Sequence, residues 1–165
     1  MKHTIFALCV LFAGFAATAQ GQVQAFGSAP APAPGSFNIK CNPDLVTYRF
    51  SATQTIATYT CTTDGAINGV AFKELTFSQT HQTSGSETKN WGVIVGTLAN
   101  GDMVFFEYQA VAEQTSAVNN VAKMSYTIVG GTGIANGISG SGTCSAVGAA
   151  GKGNEQACVG TYAVR

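Results

Sequence analysis

From residue 45 to residue 164 the chain is a succession of short β-branched and aromatic runs, each ended by glycine, asparagine or aspartate. Few architectures accept that text. A run of about four to eight Val, Ile, Thr, Tyr and Phe residues suits a pleated, half-buried surface. No segment sustains the 3.6-residue apolar period that a helix needs. Runs at residues 45–50, 55–61, 70–77, 91–98, 103–112, 121–129 and 158–164 read as strands, with one more among the glycines that follow residue 133. Asp64-Gly65 marks a turn. Asn100-Gly101, between two apolar runs, marks a tight hairpin, because both residues tolerate the positive φ such a turn requires. The polar stretch 80–88, which holds Gly85, reads as a loop. About eight short strands with tight connections predict an all-β fold, a small antiparallel closed barrel or a sandwich. Met103-Val-Phe-Phe106 and Trp91-Gly-Val-Ile-Val95 are apolar on both faces. A sheet with one wet face would alternate, so a barrel with a filled or ligand-holding interior is favoured. Burial in a homo-oligomer would also account for it.

The first 36 residues are different in kind. Met1-Lys2-His3 precedes an uncharged apolar run over residues 5–17, and Ala17-Thr18-Ala19 places small residues at −3 and −1 of a cleavage site. This is the layout of a secretory signal peptide cut after Ala19. The run is too short to cross a bilayer, which takes about 20 apolar residues. Leu8 before Cys9 does not suit a lipid anchor. Residues 20–36 carry Ala29-Pro30-Ala31-Pro32-Ala33-Pro34-Gly35, an extended spacer. The expected organisation is a signal peptide (1–19), a flexible Ala/Pro arm (20–36) and a barrel domain (37–165), in a secreted or periplasmic protein.

Four cysteines remain after cleavage: Cys41, Cys61, Cys144 and Cys158. In an oxidising compartment an even number reads as disulfides. Of three pairings, Cys41–Cys61 and Cys144–Cys158 are preferred, since each couple flanks a turn-rich segment. Zinc would need closer spacing and more than His81, the sole histidine beyond the leader, which sits in the polar stretch as a surface residue. No metal is expected. Eight basic and eight acidic residues are scattered and balance to zero, which argues against nucleic acid as a partner.

The segment Tyr126-Thr-Ile-Val-Gly-Gly-Thr-Gly-Ile-Ala-Asn-Gly-Ile-Ser-Gly-Ser-Gly142 resembles the allene oxide cyclase barrel-like and dirigent-like proteins, a calycin-type group. The shared stretch is an apolar strand (Ile128-Val129), Gly130 to Gly133, an apolar residue (Ile134) and a glycine-rich continuation from Gly137. Gly96-Thr-Leu-Ala-Asn-Gly-Asp-Met-Val-Phe105 and Cys158-Val-Gly-Thr-Tyr162 look like the upstream hairpin and closing strand of secreted bacterial members. The resemblance spans residues 45–164 and implies an eight-stranded antiparallel barrel. It also implies a cavity that steers reactive intermediates, but no catalytic residue carries over, because the matching positions are turn glycines.

Candidate chemistry is sparse. Glu107, among Phe106 and Tyr108, would act as an acid or base if it faced the cavity. Period-2 alternation instead puts Glu107 and Gln109 on the face opposite Phe106, Tyr108 and Ala110. Arg49, between Tyr48 and Phe50, is a candidate partner for Glu107, and Tyr108 completes the catalytic candidates. Trp91, Phe106 and Tyr126 are candidates to line a ligand site. Gly137-Ile-Ser-Gly-Ser141 lacks the helix of a nucleophile elbow. The glycine run 130–133 lacks the residues of a phosphate loop, and no cofactor is implied. The favoured function is binding of a small apolar ligand, or a structural module. The alternatives are a cavity enzyme of cyclase or isomerase type and a self-associating surface or matrix component.

Overall fold

The computed structural model describes residues 33–42, 46–116, 119–149 and 152–165. The leader, its cleavage site and most of the Ala/Pro arm lie outside these. The described chain is almost entirely strand. In order it runs β1 (Ala33–Cys41), β2 (Val46–Arg49), β3 (Gln54–Thr63), β4 (Ala66–Ile67), β5 (Val70–Ser84) and β6 (Glu87–Leu98). β7 (Met103–Gln114), β8 (Asn119–Gly131), a 3-10 turn (Gly133–Ala135), β9 (Ser139–Ala149) and β10 (Gly153–Ala163) complete it. Strands β3-β1-β10-β9-β8-β7-β6-β5 are hydrogen-bonded in that order, and β5 pairs back onto β3. The result is a closed, antiparallel, eight-stranded barrel, with β2 and β4 outside the ring. Closure removes the free edges that an open sheet of such residues would present.

Inside and outside follow from the period-2 geometry of a strand. Leu75, Phe77 and Gln79 of β5, Val104, Phe106 and Tyr108 of β7, and Met124, Tyr126 and Ile128 of β8 all point inward and are buried. Glu107, Gln109, Lys123 and Thr127 alternate with them and are exposed. The outward Trp91, Val93 and Met103 stay partly exposed in the single chain.

One end of the barrel is closed and apolar. Ile67 of the small β4–β5 hairpin, Leu98, Val104, Ala135 and Ile138 are all buried there. Inside them Phe37, Phe72, Phe106 and Tyr126 form a chain of edge and tilted ring contacts, with centroids 5.9–6.3 Å apart. Asn100-Gly101 makes the expected hairpin: Gly101, at φ 91°, donates to the Leu98 carbonyl at 2.9 Å. Asp102 then braces the glycine segment by accepting from the Ile134 amide at 2.9 Å.

Two expectations change. Residues 80–88 are not a loop: β5 continues to Ser84, and a two-residue turn, with Gly85 at φ 62°, leads into β6. The barrel also takes up the end of the Ala/Pro stretch, because β1 starts at Ala33 and not after residue 36. Residues 33–38 pair with β10 alone, and only residues 39–41 also pair with β3. A strand with one open side tolerates Pro34, which has no N–H to donate.

The cysteines pair as preferred, Cys41 with Cys61 and Cys144 with Cys158. Each bond links residues directly opposite one another on adjacent strands, β1–β3 and β9–β10, and all four residues are buried.

Candidate functional site

The inward-facing positions change character along the barrel axis. On β5 they run Leu75, Phe77, Gln79, His81; on β10, in the opposite direction, Cys158, Gln156, Asn154. The half away from the closed end is therefore lined by uncharged polar side chains. On the strands between, the inward positions hold Ala110 and Ala112 of β7, Ala122 of β8, and Ala146 and Gly148 of β9. These short side chains do not reach the axis, and a cavity of about 480 Å³ remains. An eight-stranded barrel is just wide enough either to be filled by its own side chains or to hold one small ligand. This barrel does the first in one half and the second in the other. The apolar half holds a space of only about 100 Å³, lined by Phe37, Phe72, Phe106 and Tyr126 among others.

The floor of the larger cavity is aromatic. Tyr59 of β3 stacks on Phe77 with ring centroids 5.1 Å apart, and Phe77 meets the edge of Tyr108 at 5.5 Å. A hydrogen-bonded chain rises from this floor along β5. The Tyr108 hydroxyl donates to Gln79 Oε1, and Gln79 Nε2 lies 2.8 Å from His81 Nε2. With its oxygen taken by Tyr108, Gln79 can only donate to the imidazole. His81 Nε2 is then the acceptor and the ring proton sits on Nδ1. Burial favours this neutral ring and lowers the His81 pKa below 6.5; a weaker interaction with Asn90 pulls the other way. Burial also pushes the Tyr59 phenol up to about 12, partly offset by its hydrogen bonds with Tyr108 and Gln79. Tyr108 is raised as well, by burial first and then by Tyr59 beside it.

The opposite wall is built on Gln156, only 6 % exposed. Its Nε2 donates to Asn154 Oδ1 at 2.9 Å and reaches Cys41 Sγ at 3.7 Å. Among the described residues its buried Oε1 meets no donor, and Asn90 Oδ1 on β6 makes no hydrogen bond of good geometry, its polar neighbour being His81 directly across the β5–β6 ladder. A buried amide oxygen left unpaired costs about 1–3 kcal/mol, so these two, both lining the cavity, are acceptors for whatever occupies it, water included.

The residues singled out from sequence are distributed over three places. Tyr108 is in the cavity floor. Phe106 and Tyr126 are inside but line the small apolar space. Glu107 is on the outer wall, opposite Val93 and Thr127. Trp91 is on the outer face of β6, 43 % exposed, and Arg49 is on β2, outside the ring and exposed. Arg49, Glu107 and Tyr108 are thus not brought together. His81, expected on the surface, is inside the mouth. Gln79, Asn90, Asn154 and Gln156 were not anticipated, although a signal existed: Gln156 stands two residues before Cys158, so a disulfide inside the barrel forces Gln156 inward too.

No protein-family model, curated protein or solved structure matches this chain. What the fold and cavity define is a class, the small closed β-barrel with an internal cavity at one end.

Proposed function

We propose that this chain is an exported binding protein that holds one small molecule in the polar half of its barrel. The observation that carries this is the cavity of about 480 Å³, within the range of roughly 300–1,000 Å³ typical of small-molecule sites. Its make-up fits the same reading: an aromatic floor supplies contact area, and a few uncharged polar groups supply orientation. The sequence suggests an apolar ligand; the cavity suits an amphipathic one, with an apolar face against Tyr59, Phe77 and Met124 and hydrogen-bonding groups toward Gln156 and Asn90. The disulfides and the likeness to secreted allene oxide cyclase-like and dirigent-like barrels support export.

Native mass spectrometry of protein recovered from its own culture tests the reading. A co-purifying small molecule, lost on filling the cavity with Ala146→Leu, is the expected result. Protein that carries nothing, and whose cavity resonances no member of a fragment library shifts, would overturn it.

A cavity enzyme of cyclase or isomerase type is the second reading. It draws on the Tyr108–Gln79–His81 chain, the one titratable hydrogen-bonded series at the cavity floor among the described residues. His81→Gln would then abolish turnover of a bound molecule without abolishing its binding.

A further inference from the structure

The cavity's chemistry narrows what it holds. Among the described lining residues only Glu113 carries a formal charge, and it is exposed near the strand end. No lysine or arginine lines the space, so an anionic ligand would find no counter-charge. No carboxylate lies deep within it, so an ammonium group would be buried unpaired, which is costly. The lining therefore suits an uncharged ligand.

Eight of the lining side chains are carboxamides. A carboxamide presents a donor and an acceptor side by side in one plane, a match for two neighbouring hydroxyl groups, each of which both gives and takes a hydrogen bond. The two unpaired acceptors belong to Gln156 on β10 and Asn90 on β6. These strands are four apart in either direction around the ring of eight, so the acceptors stand on opposite walls. His81, paired with Asn90 across β5 and β6, adds an Nδ1–H beside that acceptor, its tautomer set by the Gln79 hydrogen bond. Between the walls lie the aromatic floor and the Ala110, Ala122 and Ala146 methyl groups.

We infer that the ligand is a neutral polyhydroxylated ring, a pyranose sugar or the terminal sugar of a short glycan. Such a ring carries hydroxyls on opposite sides of its rim, one side for each of the two acceptors. Its C–H face lies on Tyr59 and Phe77. A flat aromatic alcohol has one polar edge and satisfies one wall only. A fatty chain satisfies neither. This inference rests on the mouth being a binding site.

The test is ¹⁵N-resolved NMR of the disulfide-bonded protein, titrated with a panel of neutral mono- and disaccharides and, separately, with 2-naphthol. The expected result is that at least one sugar shifts the side-chain amides of Gln156 and Asn90. Gln156→Met, which keeps length but removes the acceptor, should then weaken that sugar about tenfold, the value of a lost hydrogen bond and its strained remnant. If Gln156→Met does not fold, Ala146→Leu, directly opposite Gln156 on the adjacent strand β9, narrows the same space and should produce the loss. Sugars that leave the cavity unmoved while 2-naphthol shifts it would overturn the sugar class and leave the binding site standing. Silence from both probes would remove the site as well. Sugar affinity unchanged in the folded variants would overturn the inference.

Discussion

Gly142 and Gly160 face each other across β9 and β10, and the Tyr126 hydroxyl lies over both. A Cβ at Gly160 would stand 2.0 Å from that oxygen, and one at Gly142 would stand 2.3 Å away. Overfilling of this sort costs about 1–3 kcal/mol. Gly160→Ala should lower stability by that amount in urea melts, and Tyr126→Phe, which deletes the oxygen, should restore part of it. If Gly160→Ala costs the same in both backgrounds, the hydroxyl is not what the glycine accommodates. Three cavity residues, His81, Tyr59 and Tyr108, contribute to the pH response. The His81 pKa is lowered on folding, so just below pH 6.5 the unfolded chain binds more protons than the folded one. Stability should rise with pH through that window and fall as acid is added, levelling once the folded form also protonates. Tyr59 has the opposite sense: its folded pKa of about 12 exceeds the ordinary 10.0. Stability should drop as pH climbs from 10 toward 12. Melting curves across pH, with His81→Gln flattening the acid limb and Tyr59→Phe reducing the alkaline one that Tyr108 shares, check both signs. Residue identity was legible here, but residue role was not. Glycine at 160 reads as a turn signal until the distant Tyr126 is seen above it.

At the scale of elements the weak point is the seam that closes the ring. β9 and β10 are in register from Ser139↔Ala163 to Ala149↔Gly153, whereas β1 and β3 pair only over Ile39↔Thr63 to Cys41↔Cys61. The disulfide Cys41–Cys61 sits at the end of that short seam. Removing a native disulfide costs about 2–5 kcal/mol in small secreted domains, and the structural consequences should differ between the two. Cys41→Ala/Cys61→Ala should raise amide exchange through β1 and β3, opening the barrel. Cys144→Ala/Cys158→Ala should leave β9 and β10 protected by their own ladder. Equal deprotection of both pairs would show that the seam is held by packing and not by the bond. The strands themselves were readable from β-branched runs and turn pairs, Asn100-Gly101 above all. Asn68-Gly69, with φ 49° and 81°, is a second turn of the same kind that the sequence displays and the strand reading passed over. The β5–β6 hairpin was unreadable for a physical reason. Its inward positions Gln79, His81, Thr83 and Asn90 face a polar cavity, so the apolar alternation that reveals a strand is missing where the candidate site lies.

For the whole molecule, the proposed export has the most direct measurement: protein recovered from the periplasm or medium should begin at Gln20, as intact mass will show, and an uncut N-terminus would overturn cleavage after Ala19. The composition determined a good deal by itself. Many turn signals, little charge and an even set of cysteines after residue 19 lead to a disulfide-bonded all-β domain, because local backbone preference and period-2 patterning are properties of neighbours in the chain. Which strands meet is not such a property. Ring closure joins β3 to β1 and β5. It sets Gln156 against Asn90 across the axis and consigns Glu107, Arg49 and Trp91 to the outside. Only the tertiary structure decides that, since a barrel's interior is assembled from alternate residues of eight strands. The space left inside depends on the sum of their side chains and on no single one of them.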